Sequence, residues 1–122
     1  MPANLLIAVV DDDDSAREAM VDLVNAMGFT AVGFASASAF LRSAHFAAVS
    51  CLIADVRMSV MGGVELCRHM AASGNAVPAV LITAYPDETT RLQAKTLGIG
   101  SYLAKPCNPD ELLRALHSAL AG

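Results

Sequence analysis

A chain of 122 residues, 55% hydrophobic and only 16% charged, is long enough for one hydrophobic core and too short for two, and its composition excludes a disordered segment. Its formal charge of −4, with eight scattered Lys and Arg, argues against a nucleic-acid surface, and no apolar run approaches the ~20 residues that span a bilayer. Met1-Pro2-Ala3-Asn4 carries no basic region, so no secretory signal is expected; Cys51, Cys67 and Cys107 lack Cys-x-x-Cys spacing, which fits a cytoplasmic chain with reduced thiols.

Leu5-Leu6-Ile7-Ala8-Val9-Val10 is a continuous apolar run, the pattern of a strand covered on both faces, and it predicts the central strand of a sheet. It runs into four aspartates, Asp11 to Asp14. Asp14 or Ser15 can cap a helix whose apolar residues Ala16, Ala19, Met20, Leu23, Val24 and Met27 recur at three and four, with Gly28 as the left-handed stop. Thr30 to Phe34 reads as a weaker strand, followed through Ser36 and Ser38 by a short helix carrying Phe40 and Leu41. The third strand is Cys51-Leu52-Ile53-Ala54, closed by Asp55.

Met61-Gly62-Gly63 predicts a flexible turn before a helix that carries Val64, Leu66, Cys67 and Met70 and ends near Gly74. Pro78 opens a fourth strand, Ala79 to Ile82, which meets Thr83. Asp87 can cap a helix to about Leu97, with Gly98 after it, and the fifth strand, Ser101 to Ala104, meets Lys105-Pro106. Asn108 caps a last helix begun by Pro109, with Leu112, Leu113, Leu116 and Leu120 on its buried stripe. Five βα units in succession predict an α/β fold, a doubly wound parallel five-stranded sheet with helices on both faces and right-handed crossovers. Residues 1–122 read as a single domain without internal repeat or linker.

In such a sheet ligands bind at the carboxyl ends of the strands, and four strands here end in polar groups: Asp11 and Asp12, Asp55, Thr83, and Lys105. Singly, each has a plain explanation, since aspartates cap helices, strand-end threonines are half-buried hydroxyls and lone lysines are solvated. Jointly they define a site. Carboxylates crowded at one sheet edge repel by roughly 4 kcal/mol per close pair at an effective dielectric of ~20, so a cation belongs between them. Mg²⁺ suits an all-oxygen cluster, and the lack of accompanying His or Cys argues against zinc. His45, His69 and His117 have no ligand spacing and are expected at the surface or at helix ends, and the methionines are expected as gap-fillers. A metal beside a carboxylate not wholly used as a ligand points to phosphoryl chemistry, with an Asp55 oxygen attacking in line to give an acyl phosphate.

The segments Val10-Asp11-Asp12-Asp13-Asp14-Ser15-Ala16-Arg17, Asp55-Val56-Arg57-Met58, Gly63-Val64-Glu65-Leu66, Leu81-Ile82-Thr83-Ala84 and Tyr102-Leu103-Ala104-Lys105-Pro106 resemble the receiver domain of two-component response regulators, most of all the FixJ-type branch. The resemblance covers essentially the whole chain and implies the CheY-like strand order 2-1-3-4-5. It implies Asp55 as the phosphoacceptor, taking its phosphoryl group from a sensor histidine kinase or a phosphotransfer protein. Asp11, Asp12, Asp55 and the backbone carbonyl of Arg57 would hold Mg²⁺, with Mn²⁺ as an alternative ion. Lys105 would pair with a phosphoryl oxygen, Thr83 would move to bond another, and Tyr102 would turn inward with it. A cis peptide at Lys105-Pro106 is a family habit.

The implied output runs through the face of the fourth helix, fifth strand and fifth helix to an output domain or downstream protein, with phosphorylation-dependent dimerisation left open. No direct nucleic-acid or membrane binding and no turnover of an external substrate are expected.

Two departures stand out. Ser59 occupies a position where the family often has Pro, which predicts a more mobile loop, and the bulky Tyr85 lies two residues beyond Thr83, where it can shield an acyl phosphate from water. A Mg²⁺-dependent phosphohydrolase with an aspartyl-phosphate intermediate is the alternative, but Arg57 stands where such enzymes usually need a proton-donating acid. A binding module without phosphorylation is disfavoured because all five site residues are present.

Overall fold

In the computed structural model, which describes residues 5–121, the five apolar runs form parallel strands. They are β1 (Leu6–Val10), β2 (Thr30–Phe34), β3 (Cys51–Asp55), β4 (Ala79–Thr83) and β5 (Ser101–Ala104). Their order is β2-β1-β3-β4-β5, the order that the resemblance implies. The middle of the sheet, however, is β3. β1 lies one place off centre, between β2 and β3, because an unbroken apolar run marks any interior strand and cannot say which one is central. β3 and β4 are buried at all five positions, whereas the edge strands β2 and β5 are only partly covered. The reading of Met1-Pro2-Ala3-Asn4, and the outer limits of the 1–122 domain, fall outside the described residues.

Strand side chains alternate between the two faces, and the core divides accordingly. Ala8, Val10, Leu52, Ala54 and Leu81 face one layer, which they share with Phe40, Leu66, Met70 and Ala94. These last four come from α2 (Ala37–Leu41), α3 (Gly63–Ala72) and α4 (Glu88–Thr96). Ile7, Val9, Ile53, Val80 and Ile82 face the other, against Val24, Leu112 and Leu116 from α1 (Asp14–Ala26) and α5 (Pro109–Ala121). Each fully buried Leu, Ile or Phe contributes about 1.5–3 kcal/mol through removal of apolar surface from water. Phe40 joins the layers of its face, its ring 5.3 Å from that of Phe34 and 5.4 Å from that of Phe46.

Helix starts follow the sequence with one displacement. Ser36, Asp87 and Asn108 each accept a hydrogen bond from a backbone N–H in the first turn that follows. The first helix is capped by Asp13, whose Oδ1 accepts from Ala16 N at 3.1 Å, and not by Asp14 or Ser15. Four aspartates in a row are chemically equivalent as caps, and the path of the chain leaving β1 selects among them. Gly28, Gly74 and Gly98 follow the ends of α1, α3 and α4 with φ of +98°, +78° and +82°. No helix among the described residues is long and apolar enough to cross a membrane.

Candidate functional site

The strand ends converge as the sequence predicts. Asp11 leaves β1, Asp55 closes β3, Thr83 closes β4 and Lys105 follows β5, through a cis peptide to Pro106. Asp11, Asp55 and Thr83 are the buried polar residues among those described, exposed by 2%, 7% and 0%. Two carboxylates this deep need a cation, and Lys105 supplies it. Its Nζ donates to Asp11 Oδ2 at 2.9 Å and to Asp55 Oδ2 at 2.7 Å. The remaining oxygens are held by the backbone, Asp11 Oδ1 accepting from Asp13 N and Asp55 Oδ1 from Arg57 N. Burial is the largest single influence on the Lys105 ammonium and acts to lower its pKa. The hydrogen bonds to Asp55 and Asp11, with their charges, outweigh it and hold the value above the ordinary lysine range. The stabilisation it contributes is therefore whole below the ordinary lysine pKa and is lost only as pH rises through the raised value.

Asp12 points elsewhere. Its Oδ2 accepts from Ser59 N at 3.0 Å and from Ser59 Oγ at 3.2 Å, bonds that a proline at this position could not provide. Where the family often has a proline, the chain has a tether. The next residue is strained. Val60 has φ +71° in a three-residue turn closed by Met61 N donating to Ser59 O at 2.9 Å, and its side chain lies wholly in solvent. A β-branched residue in the left-handed region costs of order 1–3 kcal/mol. Val60→Gly should therefore raise the urea midpoint, with a gain of about 1 kcal/mol after the larger chain entropy of glycine is subtracted.

Gly62 and Gly63 are not hinges. A Cβ on Gly62 would stand 2.3 Å from the Val56 carbonyl oxygen, and one on Gly63 would stand 2.7 Å from the Asp55 carbonyl oxygen. Their φ freedom is not at issue, since Gly62 is extended at φ −82°. The pair lets α3 start directly against the end of β3, with Glu65 Oε1 accepting from Gly62 N at 3.0 Å.

On the opposite rim, Thr83 Oγ1 accepts from Tyr85 N at 3.0 Å, so its hydroxyl oxygen is engaged by its own loop. Arg57, two residues after Asp55, and Tyr85, two after Thr83, meet with the guanidinium carbon 5.3 Å from the ring centroid, a cation–π arrangement. Tyr102 is half-buried on β5, and its hydroxyl oxygen accepts from Asp87 N at 3.1 Å, the cap residue of α4.

Among the described residues no group of three or more His, Cys, Asp and Glu side chains is assembled as a metal-binding cluster, and Asp12 is turned to Ser59. The donor chemistry nonetheless fits a hard divalent ion. Every candidate ligand is an oxygen, and Asp11 and Asp55 already share one cationic partner. The histidines are exposed, with His45 in the turn before the short 3₁₀ segment Phe46–Ala48 and not inside a helix. Cys51 is buried, and burial pushes its thiol up to about 12; the half-buried Cys67 is pushed to about 11 for the same reason. Cys107 is half-buried, its thiol also raised chiefly by burial, so burial disfavours the thiolate at all three.

Sequence reasoning did not find the Ser59 contact or the Arg57–Tyr85 stack. It also missed Arg17, which reaches from α1 to donate to the Asp11 carbonyl at 2.9 Å and so braces the turn that presents Asp11. The departure at Ser59 was the available signal for the first. An arginine one helical turn after an aspartate run was the signal for the last.

Comparison with known proteins agrees with this geometry. The response regulator receiver domain family matches residues 7–117. The response regulator protein TodT of Pseudomonas putida is 35% identical over 115 residues, covering 94% of this chain and 51% of the relative. The transcriptional regulatory protein FixJ of Azorhizobium caulinodans is 31% identical over 120 residues, 98% of this chain and 57% of that one. The chain thus spans about half the length of the curated relatives it matches. A crystal structure of a response regulator receiver protein from Pseudomonas putida superposes with a TM-score of 0.88 at 28% identity, covering 97% of this chain and 99% of that chain. The five-strand order, the convergence of Asp11, Asp55, Thr83 and Lys105, and these matches lead to one conclusion: the chain belongs to the response regulator receiver domain family.

Proposed function

We propose that this receiver is switched by phosphorylation at Asp55. The observation that carries the reading is the Lys105 ammonium, bonded at once to the carboxylates that end β1 and β3, with Thr83 buried on the strand beside them. An Asp55 carboxylate oxygen forms the new O–P bond in line as the N–P bond of a partner's phosphohistidine breaks. The leaving imidazole nitrogen keeps the electron pair and takes up a proton. Asp11, Asp12, Asp55 and the Arg57 carbonyl are the groups that would hold Mg²⁺, or Mn²⁺, whose charge offsets that of the transferring phosphoryl group.

The donor has a wall to approach along. Ala16, Ala19, Met20 and Leu23 of α1 line an apolar groove that ends at Asp11 and Lys105, which suits a helical kinase or phosphotransfer partner. After transfer, Lys105 pairs with a phosphoryl oxygen, Thr83 gives up its bond to Tyr85 N to donate to another, and Tyr102 leaves Asp87. The α4–β5–α5 face then changes its preference for an output domain, a downstream protein or a second copy. The setting is the cytoplasm, and no direct nucleic-acid binding by this domain is expected.

The hydrolase alternative is not favoured, since Arg57 is stacked on Tyr85 where an acid would be needed. Incubation with acetyl phosphate and Mg²⁺ followed by intact mass tests the proposal. One phosphoryl increment is expected in the native sequence and none in Asp55→Asn. An unmodified native protein would sink it.

A further inference from the structure

We infer that Ser59 is a positioning residue that holds Asp12 away from the divalent-ion locus, so that ion binding and release of the loop from β3 to α3 are one linked event. The inference rests on the reading above in one respect: Asp12 becomes a ligand when the ion binds.

Three observations carry it. Asp12 Oδ2 takes both of its hydrogen bonds from Ser59, 47 positions along the chain, and among the described residues its carboxylate has no other partner. Asp11 and Asp55, by contrast, are drawn together on Lys105, which leaves Asp12 as the carboxylate that has to move before three can be gathered. Finally, the tether comes from a strained segment. Val60, at φ +71° with its side chain in solvent, has no packing of its own to hold that conformation. The bond from Met61 N to Ser59 O and the grip on Asp12 hold the turn at its tip, between Met58 and Met61, which pack against the core.

An incoming ion therefore exchanges two charge-assisted hydrogen bonds for coordination, and the affinity is lower for it. The release is also felt where the chemistry occurs. The same loop continues into Gly62 and Gly63, which lie against the Val56 and Asp55 carbonyls, so a relaxed turn shifts the backbone beside the phosphoacceptor. Ion occupancy and loop state thus report on each other by linkage.

Magnesium titrations by calorimetry and amide-resolved NMR, with no phosphoryl donor present, test this on the native sequence, Ser59→Ala, Ser59→Pro and Ser59→Thr. Alanine removes the hydroxyl prong and keeps the N–H; proline removes both; threonine keeps both. The dissociation constant for Mg²⁺ is expected to fall about threefold in Ser59→Ala and about tenfold in Ser59→Pro, and to stay at the native value in Ser59→Thr. The Ser59 amide proton of the native protein should lose its protection from exchange as Mg²⁺ saturates. Unchanged or weaker binding in Ser59→Ala would overturn the inference, and Ser59→Ala decides it even if Ser59→Pro fails to fold. Absence of Mg²⁺ binding to the native protein would overturn it as well. Since phosphorylation is not measured, a failure here leaves the acetyl phosphate result standing, and a failure there leaves these affinities standing.

Discussion

Lys105→Ala is expected to lose about 2 kcal/mol of stability in metal-free buffer. Removing one partner of a buried ion pair leaves the other charge uncompensated, typically at 3–5 kcal/mol. Here the lysine side chain is 22% exposed, so water recovers part of the loss, but Asp11 and Asp55 are exposed by only 2% and 9% at the side chain and cannot both be resolvated. Added Mg²⁺ should restore more stability to Lys105→Ala than to the native protein, since a bound cation then takes over the neutralising role. Urea denaturation with and without Mg²⁺ measures both quantities. Equal stabilities in metal-free buffer would mean that the carboxylate pair needs no internal cation. On the proposed function the variant should also fail to convert phosphorylation into movement at Thr83, because the group proposed to pair with the phosphoryl oxygen is gone.

Gly62→Ala is expected to be still more damaging, at about 3 kcal/mol, for reasons unrelated to charge. A methyl carbon 2.3 Å from the Val56 carbonyl oxygen meets backbone, and backbone in a strand end held by Val56 N donating to Ile82 O cannot rotate away. The start of α3 has to lift from the sheet instead. Gly63→Ala should follow the same course with a smaller loss, as its nearest atom lies at 2.7 Å. That nearest atom is the Asp55 carbonyl oxygen, so Gly63→Ala should also slow phosphorylation by acetyl phosphate out of proportion to its loss of stability. Chemical denaturation and the rate of adduct formation separate the two effects. A stable Gly62→Ala protein with unaltered phosphorylation would disprove the close-packing account.

The architecture was legible because its signals are periodic. Unbroken apolar runs marked β1, β3 and β4, alternation of runs and amphipathic stretches gave the parallel sheet, and the polar residues at four of the five strand ends gave the candidate site. What stayed hidden depends on direction, not identity. Nothing in the run Asp11 to Asp14 distinguishes the carboxylate that turns inward to Lys105 from the one that turns outward to Ser59, or from the one that caps α1. Those fates are set by φ and ψ at the end of a strand, and adjacent identical side chains carry no record of them. Gly62-Gly63 misled for a related reason. Paired glycines read as freedom, but here they are the only residues small enough for a helix to start against the end of β3.

The placement of Tyr85 and Tyr102 has a practical corollary. The chain contains no tryptophan and only these two tyrosines, one stacked under Arg57 in the loop after Thr83 and the other hydrogen-bonded at the head of α4. Its tyrosine absorbance and fluorescence therefore originate at these two positions, and the four phenylalanines add only weaker bands at shorter wavelength. On the proposed switch, phosphoryl transfer and return to rest should each change the tyrosine signal of the unlabelled protein, since Thr83 would release Tyr85 N and Tyr102 would leave Asp87.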